Sequence, residues 1–197
     1  MEWRTLTLAG AVTLIGLSLA LTAPSRYQPL PEGADLSLAT VSLIRSSCFG
    51  TCPDYWVTVR GDGQVRYCGV SNVLTLGRQS GTIPVKDAIS LIRHFETSDF
   101  LSLNDEYESD VTDIPTYILV LRAGDMEKYV HDYAGVDAGM PVFVRQLQDE
   151  VDRVSRSSQW VGSRAQRQQN DTGWALGNWE ERYETCFGPM PDLETNE

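Results

Sequence analysis

Two histidines are all that this 197-residue chain contains. Any Ser–His or Cys–His catalytic device would therefore have to use His94 or His131. The chain has neither a G-x-x-x-x-G-K-[ST] phosphate loop nor a G-x-G-x-x-G dinucleotide turn. Ser80 lies in Gly77–Gly81 (GRQSG), which is not G-x-S-x-G and lacks the strand–turn–helix setting of a nucleophile elbow. Positive charge is also scarce: 16 Lys and Arg stand against 27 Asp and Glu, for a net charge of −11. The densest basic run, Arg153 to Arg167, spreads four arginines among Ser and Gln. With no basic stripe, an acidic surface repels phosphate backbones, and a nucleic-acid partner is excluded. An Asp-x-Asp-x-Asp-Gly calcium loop is missing as well. The densest acidic group, Asp105, Glu106, Glu108, Asp110 and Asp113, is the one calcium candidate, and solvated surface is the simpler reading of it. No cofactor is called for.

What the chain does have begins at its N-terminus. Arg4 precedes an uncharged run, Leu6 to Ala23 (LTLAGAVTLIGLSLALTA), which Pro24 follows. Residues 1–23 thus read as a signal peptide or an N-terminal membrane anchor. Ser18-x-Ala20 offers a cleavage site, and no cysteine ends the run to accept a lipid. Both readings export the remainder to the periplasm or the extracytoplasmic face of the membrane, with membrane contact only through this segment. Residues 24–39, which include Tyr27 to Gly33 (YQPLPEG), suit an extended linker.

Residues 40–160 read as one α+β domain. Thr40 to Arg45 is a first strand, and Tyr55 to Arg60 and Gln64 to Gly69 form a hairpin around Gly61-Asp62-Gly63. A three-residue loop sets Val59 opposite Val65 and Val57 opposite Tyr67, so the apolar residues share a face. Cys68 then lies opposite Trp56 and points away from the core. Val85, Ala88, Ile89, Ile92 and Phe95 form one stripe of an amphipathic helix. Thr116 to Arg122 (TYILVLR) is the most apolar strand, expected at the centre of the sheet, and Glu127 to Tyr133 returns from it. Met140, Phe143, Val144, Leu147, Val151 and Val154 mark a second helix. The order β-β-β-α-β-β-α predicts an antiparallel sheet of about five strands with both helices on one face. Residues 161–197 form an acidic tail whose Trp174, Trp179 and Tyr183 are too many for a purely disordered segment, so part of it should dock.

Cys48, Cys52, Cys68 and Cys186 in an exported chain are read first as disulfides, for which three pairings exist. A redox role wants CxxC at a helix N-terminus, whereas here CxxxC leads through Pro53 into a strand. A metal reading would join Cys48 and Cys52 to His94 and His131, although each histidine also suits a plain structural place. Cys48-Phe49-Gly50-x-Cys52-Pro53, then Tyr55-x-Val57-x-Val59 with Asp62-Gly63, and Thr112-Asp113-x-Pro115 before a strand, resemble a family of exported bacterial domains with no assigned activity. The resemblance spans residues 40–160. It implies fold and export, and it transfers no catalytic residue. Cys68 and Cys186 stand outside its pattern, which implies two independent pairs, Cys48 with Cys52 and Cys68 with Cys186. The functional expectation is a disulfide-stapled, non-enzymatic module that binds a protein or another cell-envelope component, with Trp56, Trp174 and Trp179 as a partner surface. The competing expectation is a metal- or thiol-dependent enzyme or metal-binding protein centred on Cys48 and Cys52.

Overall fold

The computed structural model describes residues 29–170 together with Glu184 and Cys186. One mixed sheet holds β1 (Thr40–Arg45), β2 (Asp54–Arg60), β3 (Gln64–Ser71), β4 (Gly77–Thr82), β5 (Glu106–Glu108), β6 (Tyr117–Ala123) and β7 (Met126–Tyr133). Their spatial order is β4-β3-β2-β1-β6-β7-β5. Among the described strands only the β5–β7 pairing is parallel. Helices α1 (Val85–Thr97) and α2 (Phe143–Ser155) pack on one face, and the short α3 (Ser158–Val161) and α4 (Arg164–Asn170) follow. The class is α+β, as the element order implied.

Alternation decides which side of each strand is buried. Val41 and Leu43 of β1, Val57 and Val59 of β2, Val65 and Tyr67 of β3, and Leu119 and Leu121 of β6 all face the helices and are fully buried. Removing each such side chain from water is worth about 1.5–3 kcal/mol, which makes this the main stabilising layer. The β2–β3 hairpin has the expected register, Val59 opposite Val65 and Val57 opposite Tyr67. Its turn needs both glycines. Gly63 has φ +87°, and a Cβ on Gly61 would stand 1.8 Å from the Leu36 carbonyl oxygen.

The sheet has seven strands where periodicity suggested about five. β4 (GRQSGT) has no apolar alternation, and it forms because its backbone pairs along the whole outer edge of β3, from Gly69↔Gly77 to Gln64↔Thr82. Its Arg, Gln, Ser and Thr side chains suit an edge strand that must resist pairing with other chains. β5 lies within the stretch read as an acidic loop. Tyr107 turns inward between exposed Glu106 and Glu108, and three residues are too few to leave a periodic signal. β6 is interior, but β1 occupies the centre, because the N-terminal strand pairs with both β2 and β6.

The stripe on α1 is also rotated from the expected one. Ala88, Leu91, Ile92 and Phe95 are buried, whereas Val85, in the first turn, is 53% exposed. Glu96 is buried too, accepting hydrogen bonds from Leu30 N at 3.2 Å and from Arg93 Nη1 at 2.6 Å. Leu30, in the stretch read as a linker, thereby joins the core. Below α1, Phe95 and Phe100 meet edge to face at 4.9 Å. Among the described residues no helix is long and apolar enough to cross a membrane, and the run Leu6 to Ala23 lies outside them.

Candidate functional site

On the face turned away from α1 and α2, the register of β2, β3 and β4 builds a cleft in two adjacent rows. Trp56, Cys68 and Arg78 lie side by side in one row, and Thr58, Arg66 and Ser80 in the next. The cleft measures about 640 Å³ and is lined by Trp56, Arg66, Arg78, Ser80 and Cys186, with Tyr67 and Gln79 of the intervening row reaching it as well. Cys68 is fully buried there because it is bonded to Cys186 (S–S 2.07 Å). Arg66 and Arg78 are exposed and form no hydrogen bond or ion pair with any described residue. No carboxylate stands among the described residues that line the cleft. In a chain of net charge −11, this is a local pair of cations without partners among the described residues, around a concave surface.

A second polar assembly lies under α2. One transverse row crosses all seven strands: Gly77, Gly69, Tyr55, Arg45, Tyr117, Asp132 and Tyr107. Arg45 reaches Asp152 at 2.8 Å and Asp149 at 3.2 Å on α2, and Tyr55 donates to Asp152 Oδ1 at 2.7 Å. Asp132, fully buried, accepts from Gly135 N at 2.9 Å, Gln148 Nε2 at 2.7 Å and Arg145 Nη2 at 3.1 Å. The Tyr117 ring carries Arg45 at 4.8 Å and Arg145 at 5.1 Å. Each ionised group in this row has its partner within the row or on α2, so the row clamps the helix to the sheet. Burial opposes the charge of Arg45, yet Asp152, Tyr55 and Tyr117 together outweigh burial and hold the guanidinium protonated well above its ordinary range.

Tyr55 and Tyr67 are neighbours here, with ring centroids 5.7 Å apart, and Trp160 of α3 stacks on Tyr67 at 5.1 Å. Burial pushes both phenols up, reinforced in each case by the Asp152 carboxylate. Only Tyr55 has a partner: the Tyr67 hydroxyl is buried with none among the described residues. Tyr55→Phe should therefore cost about 2 kcal/mol through the lost charge-assisted bond, while Tyr67→Phe should be neutral or stabilising. Both raised pKa values keep the proton on the folded state. Their contribution is complete below about pH 10, where an unfolded tyrosine titrates, and is lost as pH rises above it. Urea unfolding followed from pH 7 upward should show this alkaline loss, reduced in each Phe variant. Equal effects of the two variants at neutral pH would contradict the assignment.

The predicted residues are placed as follows. Cys48 and Cys52 form a disulfide, S–S 1.91 Å, so the two pairs are those that the resemblance implied. The Cys48–Cys52 loop docks on the Thr112–Pro115 turn: Phe49 N donates to Asp113 O at 3.2 Å, and Ser46 N donates to Thr116 O at 2.9 Å. The two ends of the sequence signature thus meet, leaving Phe49 87% exposed at the tip. His94 on α1 pairs with Glu150 on α2, and His131 sits on β7, so the structure does not gather Cys48, Cys52, His94 and His131 into one site. The acidic group is dispersed too. Asp105 pairs with Lys128, Glu106 and Glu108 project from β5, and Asp113 turns the chain with φ +67°. Trp56 lines the cleft, whereas Trp174 and Trp179 lie outside the described residues.

Sequence reasoning missed Arg66, Arg78 and Ser80 as a group. The available signal was the outward face of the hairpin, where Arg66 and Cys68 alternate with Val65 and Tyr67. Without β4 as a strand, nothing brought Arg78 beside them. No curated protein matches the chain. Residues 39–155, from the start of β1 to the end of α2, match the family model described as Domain of unknown function (DUF6438); this is more than half of the chain, which therefore belongs to that family.

Proposed function

We propose that this chain is an exported, non-enzymatic binding module of the cell envelope, stapled by two disulfides, with the cleft beside Cys68–Cys186 as its recognition surface. The observation that carries this reading is the disulfide bonding of all four cysteines, a state that persists in oxidising compartments. The leading apolar run supports export. The binding role is supported by the contrast between the two polar assemblies. The row under α2 has its charges matched internally, while the cleft presents cations without described partners. The partner is a protein or another envelope component, and membrane contact is left to the N-terminal segment.

The test is intact mass spectrometry of protein taken from its native compartment, alkylated without reductant under native and denaturing conditions, with metal analysis alongside. Four protected cysteines, no stoichiometric metal and recovery from the extracytoplasmic fraction are expected. Free Cys48 and Cys52, bound zinc at one equivalent, or recovery only from the cytoplasm would overturn the proposal.

A further inference from the structure

The geometry points to the loop end of the sheet around Phe49 as a docking surface for a cationic, apolar-bearing segment of a partner protein. This adds a second surface to the binding-module reading and rests on that reading. The connections after β1 (46–53), after β5 (109–116) and after β7 (134–142) all leave the sheet at one end, because Arg45, Tyr117, Asp132 and Tyr107 share one row there. Hydrogen bonds stitch the three loops together. Phe49 N donates to Asp113 O at 3.2 Å, Ser109 N to Tyr133 O at 3.0 Å, and Ser109 Oγ to Ala134 O at 3.3 Å. Each loop presents an apolar side chain to water: Phe49 is 87% exposed, Val111 40% and Val136 42%. Scattered exposed aliphatics are ordinary, but a phenylalanine so exposed gives the fold almost no buried area. Its backbone is nevertheless fixed on both sides, by the Cys48–Cys52 disulfide and by the bond to Asp113. An aromatic ring held in place before binding loses little conformational entropy when a partner covers it, which suits an anchor of an interface.

Charge selects the occupant. The three loops carry Asp110, Asp113 and Asp137, all exposed, and contain no lysine, arginine or histidine. Among the described residues no cation pairs with these aspartates. Arg45, at the end of β1, is already engaged by Asp149 and Asp152. An apolar anchor with an acidic rim complements a partner that sets lysine or arginine around an apolar pocket, and the net charge of −11 steers such a partner in. A bilayer is a poorer match. Anionic headgroups are repelled by the aspartates, and the approach to β1 lies at the opposite end of the sheet, where Gly61 N donates to Ala39 O at 2.9 Å. A second copy is a poorer match too, since a two-fold contact would set the same aspartates face to face.

The experiment is selection of random phage-displayed dodecapeptides on the oxidised full chain. Fluorescence anisotropy of the enriched peptides, made with a dye, follows at low and high ionic strength. The enriched sequences are expected to join Lys or Arg to an aromatic or aliphatic residue. Phe49→Ser should weaken their binding about tenfold. Asp110→Asn, Asp113→Asn and Asp137→Asn together should weaken it several-fold and flatten its salt dependence. Asparagine also suits the left-handed backbone of Asp113 at φ +67°. Because all the altered side chains are exposed, the variants should keep wild-type circular dichroism and four oxidised cysteines. Arg66→Gln, on the cleft, should leave peptide binding unchanged. Sedimentation of the chain alone and flotation with phosphatidylglycerol vesicles run beside the selection. Self-association that depends on Phe49 assigns the surface to a second copy, flotation that depends on Phe49 assigns it to a bilayer, and either overturns the inference. So does the absence of enrichment over an unrelated acidic protein, enrichment of neutral or acidic peptides, or binding that Phe49→Ser leaves intact. Such a failure, with the cysteines oxidised in exported protein, would leave the binding-module reading standing.

Discussion

Replacing Cys68 and Cys186 together by alanine is expected to lower the unfolding free energy by about 5 kcal/mol, while the same change at Cys48 and Cys52 costs about 2 kcal/mol. The two bridges differ in the chain they close. Cys68–Cys186 spans a sequence separation of 118, and Cys48–Cys52 one of 4. Cross-linking removes conformations from the unfolded chain, and the entropy lost grows with the logarithm of the loop length, so the long bridge constrains the unfolded chain more. The long bridge is also buried on both sides, Cys68 fully and Cys186 to within 4%, which favours alanine over serine as the replacement. Urea unfolding of the oxidised wild type and both double variants, followed by circular dichroism, measures the difference. Costs equal within about 1 kcal/mol would show that loop closure does not set the value of these bonds. The short bridge has a different consequence: its loss should loosen the Phe49–Asp113 contact and change proteolysis at residues 46–53 before it changes global stability.

The second large effect is expected at Asp132. Asp132→Ala should destabilise the fold by about 3–5 kcal/mol, among the costliest single changes available. Its carboxylate is fully buried and serves three donors from two elements: the Gly135 amide in the turn after β7, and Gln148 and Arg145 on α2. Truncation leaves the Gly135 N–H and the buried Gln148 amide without an acceptor, and each orphaned buried donor costs about 1–3 kcal/mol. Arg145 contributes less to the loss, because its side chain is 37% exposed and water can replace the ion pair. Arg145→Met should therefore cost much less than Asp132→Ala, and the double variant should lie close to Asp132→Ala alone. Thermal unfolding of the three proteins tests this. If Arg145→Met is as damaging as Asp132→Ala, the ion pair, and not the buried amide donors, holds the helix.

The legible parts of the fold share one property, that their signal fits in a short window. The β2–β3 hairpin could be registered residue by residue because Gly61-Asp62-Gly63 fixes the turn and alternation fixes the face within fifteen positions. The stripe on α2 repeats within four turns, and its Val144, Leu147 and Val151 are buried as the spacing requires. The stripe on α1 was misjudged by one side. Val85 and Leu91 are both apolar, yet Val85, in the first turn, is exposed and Leu91, two turns on, is buried. β4 and β5 carried too little pattern to be seen, since one is polar throughout and the other has three residues.

From its sequence alone this chain has determined an acidic, cysteine-bearing α+β domain with an apolar leading segment, the pairing of its first hairpin, and the faces that the hairpin strands and α2 bury. These follow from composition and from periods of two and 3.6 residues, which are local quantities. Tertiary structure alone decided where the charges meet. Arg45 finds Asp152 across 107 positions. Arg66 and Arg78 become neighbours only because a polar edge strand folds back on β3. Cys186 returns over 118 positions to floor the cleft that they line. Such encounters depend on which strands pair and in what order, and no window of sequence contains both partners.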